Sequence, residues 1–142
     1  MTIAIGADHA GFHYKERLRL LLASLGHDVT DFGTHSVEPV DYPLFVRPVA
    51  DAVAAGTFER GIVIGGSGNG EAIVANRVRG VRCSLCWHVE SARLARRHND
   101  ANMLSIGARL LAEDDLLPIV TTWLTTGFDG GRHARRIALI DP

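Results

Sequence analysis

Short runs with strand character alternate along the chain with longer stretches in which apolar residues recur at helical spacing. Thr2 to Ile5 reads as a buried strand, ended by Gly6-Ala7-Asp8-His9-Ala10-Gly11. Leu18, Leu21, Leu22 and Leu25 then repeat at helical spacing among Lys15, Glu16, Arg17 and Arg19, and Gly26 closes that helix. Asp28 to Phe32 is a second, half-polar strand, and Gly33 to Pro43 is a loop by its Gly, Pro and charge content. Leu44 to Ala55 reads as a helix stopped by Gly56. Gly61-Ile62-Val63-Ile64 is too brief for a helix and reads as a central strand, which enters Gly65 to Glu71 and then a helix over Ala72 to Val78. A fourth strand over Val81 to Cys86 precedes a helix over Val89 to Arg97, and a fifth over Asn102 to Ile106 precedes one over about Glu113 to Thr126. Gly130 to Ile140 reads as a final helix. Five strands alternating with helices predict a parallel sheet covered on both faces, a three-layer α/β/α sandwich. Right-handed crossovers and short connections favour a doubly wound, Rossmann-like or flavodoxin-like strand order. No repeat, low-complexity stretch or linker divides residues 1–142, so one domain is expected.

Composition narrows the class. For 142 residues and 15.4 kDa, area scaling predicts roughly 7,000 Å² of folded surface against roughly 22,000 Å² unfolded. Fifteen Lys and Arg against sixteen Asp and Glu argue against a nucleic-acid partner held by bulk charge. No apolar run approaches a membrane span, and Met1 to Ile5 lacks the form of a signal peptide, so a cytoplasmic protein is expected. Two cysteines cannot build a multi-bridge framework. In the fourth strand Cys83 and Cys86 would face opposite sides of the sheet, too far apart for a disulfide, and no second pair completes a zinc site.

Ligands of such sheets bind at the carboxyl ends of the strands. Four segments with reactive groups are assigned there: Asp8-His9, Ser67 to Glu71, His98-Asn99 before the fifth strand, and Arg109 just after it. The loop at Gly65, Gly66, Ser67, Gly68, Asn69 and Gly70 has four glycines in six positions. Such a loop lets backbone N–H groups converge, and the following helix adds its positive end, which together hold an anion or a developing oxyanion. A tight turn without a ligand is the alternative, and the interleaved Ser, Asn and Glu favour anion binding. Named motifs fail here: the loop follows the third strand and not the first, no lysine makes a P-loop, and Asn69 replaces the second glycine of a hydrolase elbow. Glu71 at the helix start suits either complementarity to the helix dipole or a general base, and the oxyanion loop beside it favours the base. Arg132 and Arg136 at i, i+4 share a helix face that suits a phosphate or a solvated basic surface. His9 and His98 are the histidines placed at strand ends; His133 draws attention only through its arginine neighbours.

With those residues placed, the chain resembles the ribose/galactose isomerase family essentially end to end. The resemblance rests on Gly6 to Gly11, Asp41-Tyr42-Pro43, Gly65 to Glu71, Ala75-Asn76, Arg97 to Asp100, Gly107-Ala108-Arg109 and Gly130 to His133, in family order and spacing. It implies interconversion of an aldose phosphate and a ketose phosphate, ribose 5-phosphate and ribulose 5-phosphate first, without metal or organic cofactor. A tetrose, allose or galactose phosphate would need the same chemistry; a non-catalytic phosphosugar-binding module is the other-class alternative. It further implies that Glu71 moves the proton between C2 and C1 while the N–H groups of Gly66, Gly68, Asn69 and Gly70 hold the cis-enediolate. Ser67 would bind the O1/O2 region, His98 open the furanose ring, Asp8 and Tyr42 line the site, and Asn99 bind the reacting end. His9, Arg109, Arg132 and Arg136 would bind the phosphate. One family branch carries a cysteine base where this chain has Gly65, and lacks the glutamate; Gly65 with Glu71 is the glutamate-base pattern. The family's sites are shared across a homodimer interface, so a homodimer, or a dimer of dimers, is implied. No nucleic acid or membrane partner is expected.

Overall fold

The computed structural model describes residues 1–142. Strands β1 (Thr2–Ala7), β2 (Asp28–Asp31), β3 (Arg60–Gly65), β4 (Cys83–Leu85) and β5 (Met103–Gly107) form one parallel sheet in the order β2-β1-β3-β5-β4. Between and after them run α1 (Phe12–Ser24), α2 (Pro43–Ala54), α3 (Asn69–Asn76), α4 (Val89–Asn99), α5 (Glu113–Thr125) and α6 (Arg132–Ile137). The expected doubly wound α/β/α sandwich is therefore present, with 6977 Å² of accessible surface.

Burial explains the strand order. Ile3 to Ala7, Gly61 to Gly65 and Met103 to Gly107 are buried without alternation, as strands covered on both faces must be. β4 contributes three residues, of which Ser84 and Leu85 are half-buried, so it takes an edge and β5 lies between it and β3. This exchanges the last two strands relative to the flavodoxin order. Asn76 caps the short edge: its Nδ2 donates to the Cys83 carbonyl at 2.9 Å and its Oδ1 accepts from the Cys83 N–H at 2.8 Å.

Alternate residues of each strand feed two cores. Ile3, Ile5, Ile62, Ile64, Leu104 and Ile106 pack under α1, α4 and α5 with Leu18, Leu22, Ala92, Ile119 and Trp123. Ala4, Val63 and Met103 pack under α2 and α3 with Val46, Val49, Val53 and Ala75. Cys86 joins the first core and Cys83 the second, on opposite faces as expected. Burial pushes the Cys86 thiol up to about 11 and the Cys83 thiol further, so both are inert packing groups.

One charge is fully inside. Lys15 Nζ donates to Asp31 at 2.6 Å and to Glu16 at 2.8 Å, and Arg19 also donates to Glu16. Hydrogen bonds from Arg19 and then Lys15 hold the Glu16 carboxyl at about 2, despite the desolvation that opposes them. Asp31 Oδ1 accepts from the Gly33 N–H at 2.8 Å, so the network ties α1 and β2 to the start of the 33–42 loop. No helix is long and apolar enough to cross a membrane.

Candidate active site

β3 ends at Gly65 and α3 begins at Asn69, three residues before the apolar period that signals it in the sequence. Gly68 is the N-cap with φ of 78°, a left-handed conformation that disfavours a side chain. Space forbids one as well: a Cβ there would lie 2.6 Å from Leu85 Cδ1 and 3.0 Å from the Ile106 carbonyl carbon. Three hydrogen bonds fasten the loop to the end of β5. Ser105 Oγ donates to the Gly68 carbonyl at 2.7 Å, the Ala108 N–H to Gly65 at 2.8 Å, and the Arg109 N–H to Gly66 at 3.0 Å. Ser67 Oγ accepts from the Asn69 N–H and Nδ2, both at 3.3 Å. The first N–H groups of α3 have no intrahelical partner and carry the positive end of its dipole, which suits them to an oxyanion.

Glu71 is the third residue of α3 and is buried. Its carboxylate lies directly over the Cα of Gly65, so that a Cβ on residue 65 would overlap both carboxylate oxygens. Burial pushes its pKa up and Asp8 adds to the rise, against the backbone N–H groups of Glu71 itself and Gly68. A carboxylate stripped of water beside an anion-binding helix start is a strengthened base. A side chain at 65 and the Glu71 carboxylate would claim one volume. Gly65→Ala is therefore expected to displace Glu71 and lower kcat by about 10²-fold, the cost of a misplacement near 1 Å. Steady-state kinetics with a crystal structure of the variant check both halves of that expectation.

The other carboxyl-end residues gather round this loop. Asp8 is buried, and its Oδ1 accepts from the Ala10 N–H at 2.9 Å and the Gly11 N–H at 3.1 Å, an Asx-type turn leading into α1. His9 Nδ1 accepts from the Val40 N–H at 3.1 Å, which places the proton of the neutral ring on Nε2. Tyr42 lies on Gly70, where a Cβ would meet its ring at 2.6 Å. Arg109 crosses over Gly66, with Nη1 3.4 Å from the position of a Cβ there. A cavity of about 360 Å³ opens beside the loop, floored by Gly107 and walled by Ser67, Asn69, Trp87 and Leu110.

His98, Asn99, Arg132 and Arg136 are not in this cluster. The assignment of His98-Asn99 to the carboxyl ends is corrected, because in a parallel βαβ unit each helix runs antiparallel to the strands it connects. The last turn of α4 therefore emerges at the amino ends of β4 and β5. There Arg82 Nε donates to the Asn99 carbonyl at 3.0 Å, and the Arg82 N–H donates to Asn102 Oδ1 at 2.8 Å. α6 packs on α4 at the same end. His98, Asn99, His133 and Arg136 line a separate cavity of about 380 Å³. His133 and Asp129, which sequence reasoning left out of the site, join His98 there; nitrogen and carboxylate atoms of the three lie within 4.8 Å of one another. Only the arginines flanking His133 pointed to it, and nothing in the sequence pointed to Asp129. β5 alone spans about 17 Å at strand rise, so one small ligand does not bridge the two clusters within one chain.

Fold and site together define a doubly wound α/β protein in which a glycine-rich loop and a buried carboxylate meet at the carboxyl ends of the strands. The ribose/galactose isomerase family pattern matches residues 3–140. The chain is 44% identical over 142 residues to ribose-5-phosphate isomerase B of Mycobacterium leprae, covering 99% of this chain and 88% of that one. A solved structure of ribose-5-phosphate isomerase B from Clostridium thermocellum superposes with a TM-score of 0.98 at 48% identity, covering 99% and 95% of the two chains. The enzyme of the same name from Mycoplasma genitalium, solved with bound ribulose-5-phosphate, superposes at 0.95 with 36% identity, covering 98% and 93%. The chain belongs to the ribose/galactose isomerase family.

Proposed function

We propose that the protein interconverts ribose 5-phosphate and ribulose 5-phosphate through a cis-enediolate, with Glu71 as the base. The observation that carries this reading is the buried Glu71 carboxylate seated on Gly65, one helical turn from the N–H groups of the Gly66 to Gly70 loop. Glu71 takes the C2 proton of the open-chain aldose and returns it to C1. The negative charge that develops on O1 and O2 meets the N–H groups of the loop and the positive end of α3. Ser67 binds the same oxygens. The ribulose-5-phosphate bound to the Mycoplasma genitalium relative supports a five-carbon substrate. A coupled assay across four-, five- and six-carbon sugar phosphates tests it. The highest kcat/KM is expected for ribose 5-phosphate, and a higher value for any other sugar overturns the substrate assignment.

The active unit in this reading is a homodimer in which each site joins the carboxyl-end cluster of one protomer to the amino-end cluster of the other. Its support is the division of the implied residues between opposite ends of one sheet. Exposed apolar residues flank both clusters, Leu44 and Ile73 on α2 and α3, Leu139 and Ile140 after α6, and such surface suits a second copy of the chain. Arg132 and Arg136 then reach the phosphate from the partner subunit, while His9 and Arg109 reach it in cis. Arg136→Ala is expected to raise KM about tenfold and to lower kcat less than threefold, because a phosphate contact persists through ground and transition states. An unchanged KM removes Arg136 from the phosphate site.

A further inference from the structure

His133 is the one buried residue of α6, whose other side chains are exposed or half-buried. Its ring lies parallel to that of His98, with centroids 4.3 Å apart and 9° between planes. The stack is built in from both sides. The Asp129 N–H donates to the Arg97 carbonyl at 3.0 Å, and the Arg97 guanidinium grips Asp129 through Nε at 3.1 and 3.2 Å and Nη2 at 3.0 Å. That clamp fixes the chain to the last turn of α4. Gly130 and Gly131, with φ of 65° and 57°, then turn it straight into α6, and the His133 N–H closes the turn on the Gly130 carbonyl at 3.1 Å.

A divalent cation is the first reading for two histidines and a carboxylate so close together. The surroundings argue against it. Arg97 already occupies both oxygens of Asp129, and Arg132 and Arg136 add positive charge on α6. Two stacked rings also place their in-plane lone pairs side by side and not toward one point. Burial, His98 and the two α6 arginines all press the His133 pKa down, against Asp129 alone, which favours the uncharged ring that stacks without like-charge repulsion.

We propose that His133 is a positioning residue for His98, fixing the ring plane in which His98 meets the furanose oxygen during ring opening. The proposal rests on the reading of His98 as the ring-opening group. Ring opening breaks the C1–O4 bond with its electron pair going to O4, forms the C1=O1 bond of the aldehyde from the O1–H pair, releases the anomeric hydroxyl proton to water and puts one proton on O4; no electrons pass to or from a cofactor. His98 delivers the O4 proton from a ring nitrogen, and the transfer is efficient only when that N–H lies in line with the oxygen lone pair. A parallel ring at 4.3 Å sets that plane.

The proton-transfer step alone makes no such demand, and this separates the two roles. Ribulose 5-phosphate cannot close a furanose, because its C5 oxygen carries the phosphate, so deuterium wash-in at its C1 in D₂O reports Glu71 chemistry without ring opening. His133→Ala is expected to slow isomerisation of ribose 5-phosphate by roughly ten- to a hundredfold while slowing wash-in by at most about threefold. His133→Phe, which keeps the stacking face, should recover most of the loss; His133→Gln, without a ring, should resemble the alanine variant. Equal losses in the two readouts, or a phenylalanine variant no better than alanine, overturn the proposal. Glu71→Gln serves as the independent arm: retained wash-in there sinks the base assignment whatever His133 does.

Discussion

Glu71→Gln is expected to lower kcat for ribose 5-phosphate by about 10³-fold and to leave KM within about tenfold, the signature of losing a general base and not a binding contact. The amide matches the carboxylate in shape and fits the same space over Gly65, so the loop should keep its geometry. Unfolding will not explain the loss. A carboxyl whose pKa is raised by burial binds its proton more tightly in the native state than in the unfolded chain. Glu71 therefore contributes stability below its unfolded pKa and loses it as pH rises through the higher folded value. At neutral pH the glutamine variant should melt at or above the wild-type temperature. The same shift sets the rate profile of the wild type: turnover needs the ionised form, so activity should fall on acidification with a midpoint above that of an ordinary carboxylate. A midpoint at or below the ordinary value, or near-normal kcat in the variant, contradicts Glu71 as base.

What could be read in advance from residues alone divides along a physical line. Local chemistry was legible: short, largely apolar runs at 3–5, 61–64 and 102–106 are the three inner strands, and the glycines of 65–70 make the turn that presents Ser67 and Glu71. Glycine density marked that turn because a Cβ at Gly65, Gly68 or Gly70 would run into the Glu71 carboxylate, Leu85 or the Tyr42 ring. The start of α3 was less visible, since Asn69 and Gly70 are poor helix formers. The Gly68 carbonyl, accepting from the Ala72 N–H at 3.0 Å, holds the early turn. The exchange of β4 and β5 follows from relative burial, which Asn102 to Ile106 and the half-polar Val81 to Cys86 hint at but do not order. The end of the sheet that His98 occupies has no local signal, because nearness in sequence to a strand does not say at which of its ends a residue lies. The Arg97–Asp129 clamp joins residues 32 apart in sequence, and no local pattern reports a contact of that kind.

The division of the site has a consequence that mixing two inactive variants will measure. In the proposed two-fold symmetric dimer the same patches meet twice, so each site would take Glu71 from one protomer and His98 from the other. Combine Glu71→Gln with His98→Ala, then let protomers exchange. Each mixed dimer holds one site with both lesions and one with neither, built from the Glu71 of the His98→Ala chain and the His98 of the Glu71→Gln chain. Random exchange at equal concentration makes half of the dimers mixed, so about a quarter of the wild-type sites, and of the activity, should return from two nearly silent parents. The recovery should appear with the time course of subunit exchange and be absent when the parents are mixed without exchange. If both groups instead served one site within a single chain, every mixed dimer would carry only damaged sites and the mixture would stay at the mean of its parents. A mixture that stays at that mean after exchange is verified by mass would refute the shared site, and with it the placement of Arg132 and Arg136 on the partner's phosphate. Recovery near a quarter would mean that the two ends of the sheet, about 17 Å apart along β5, work on one substrate only because two copies bring them together.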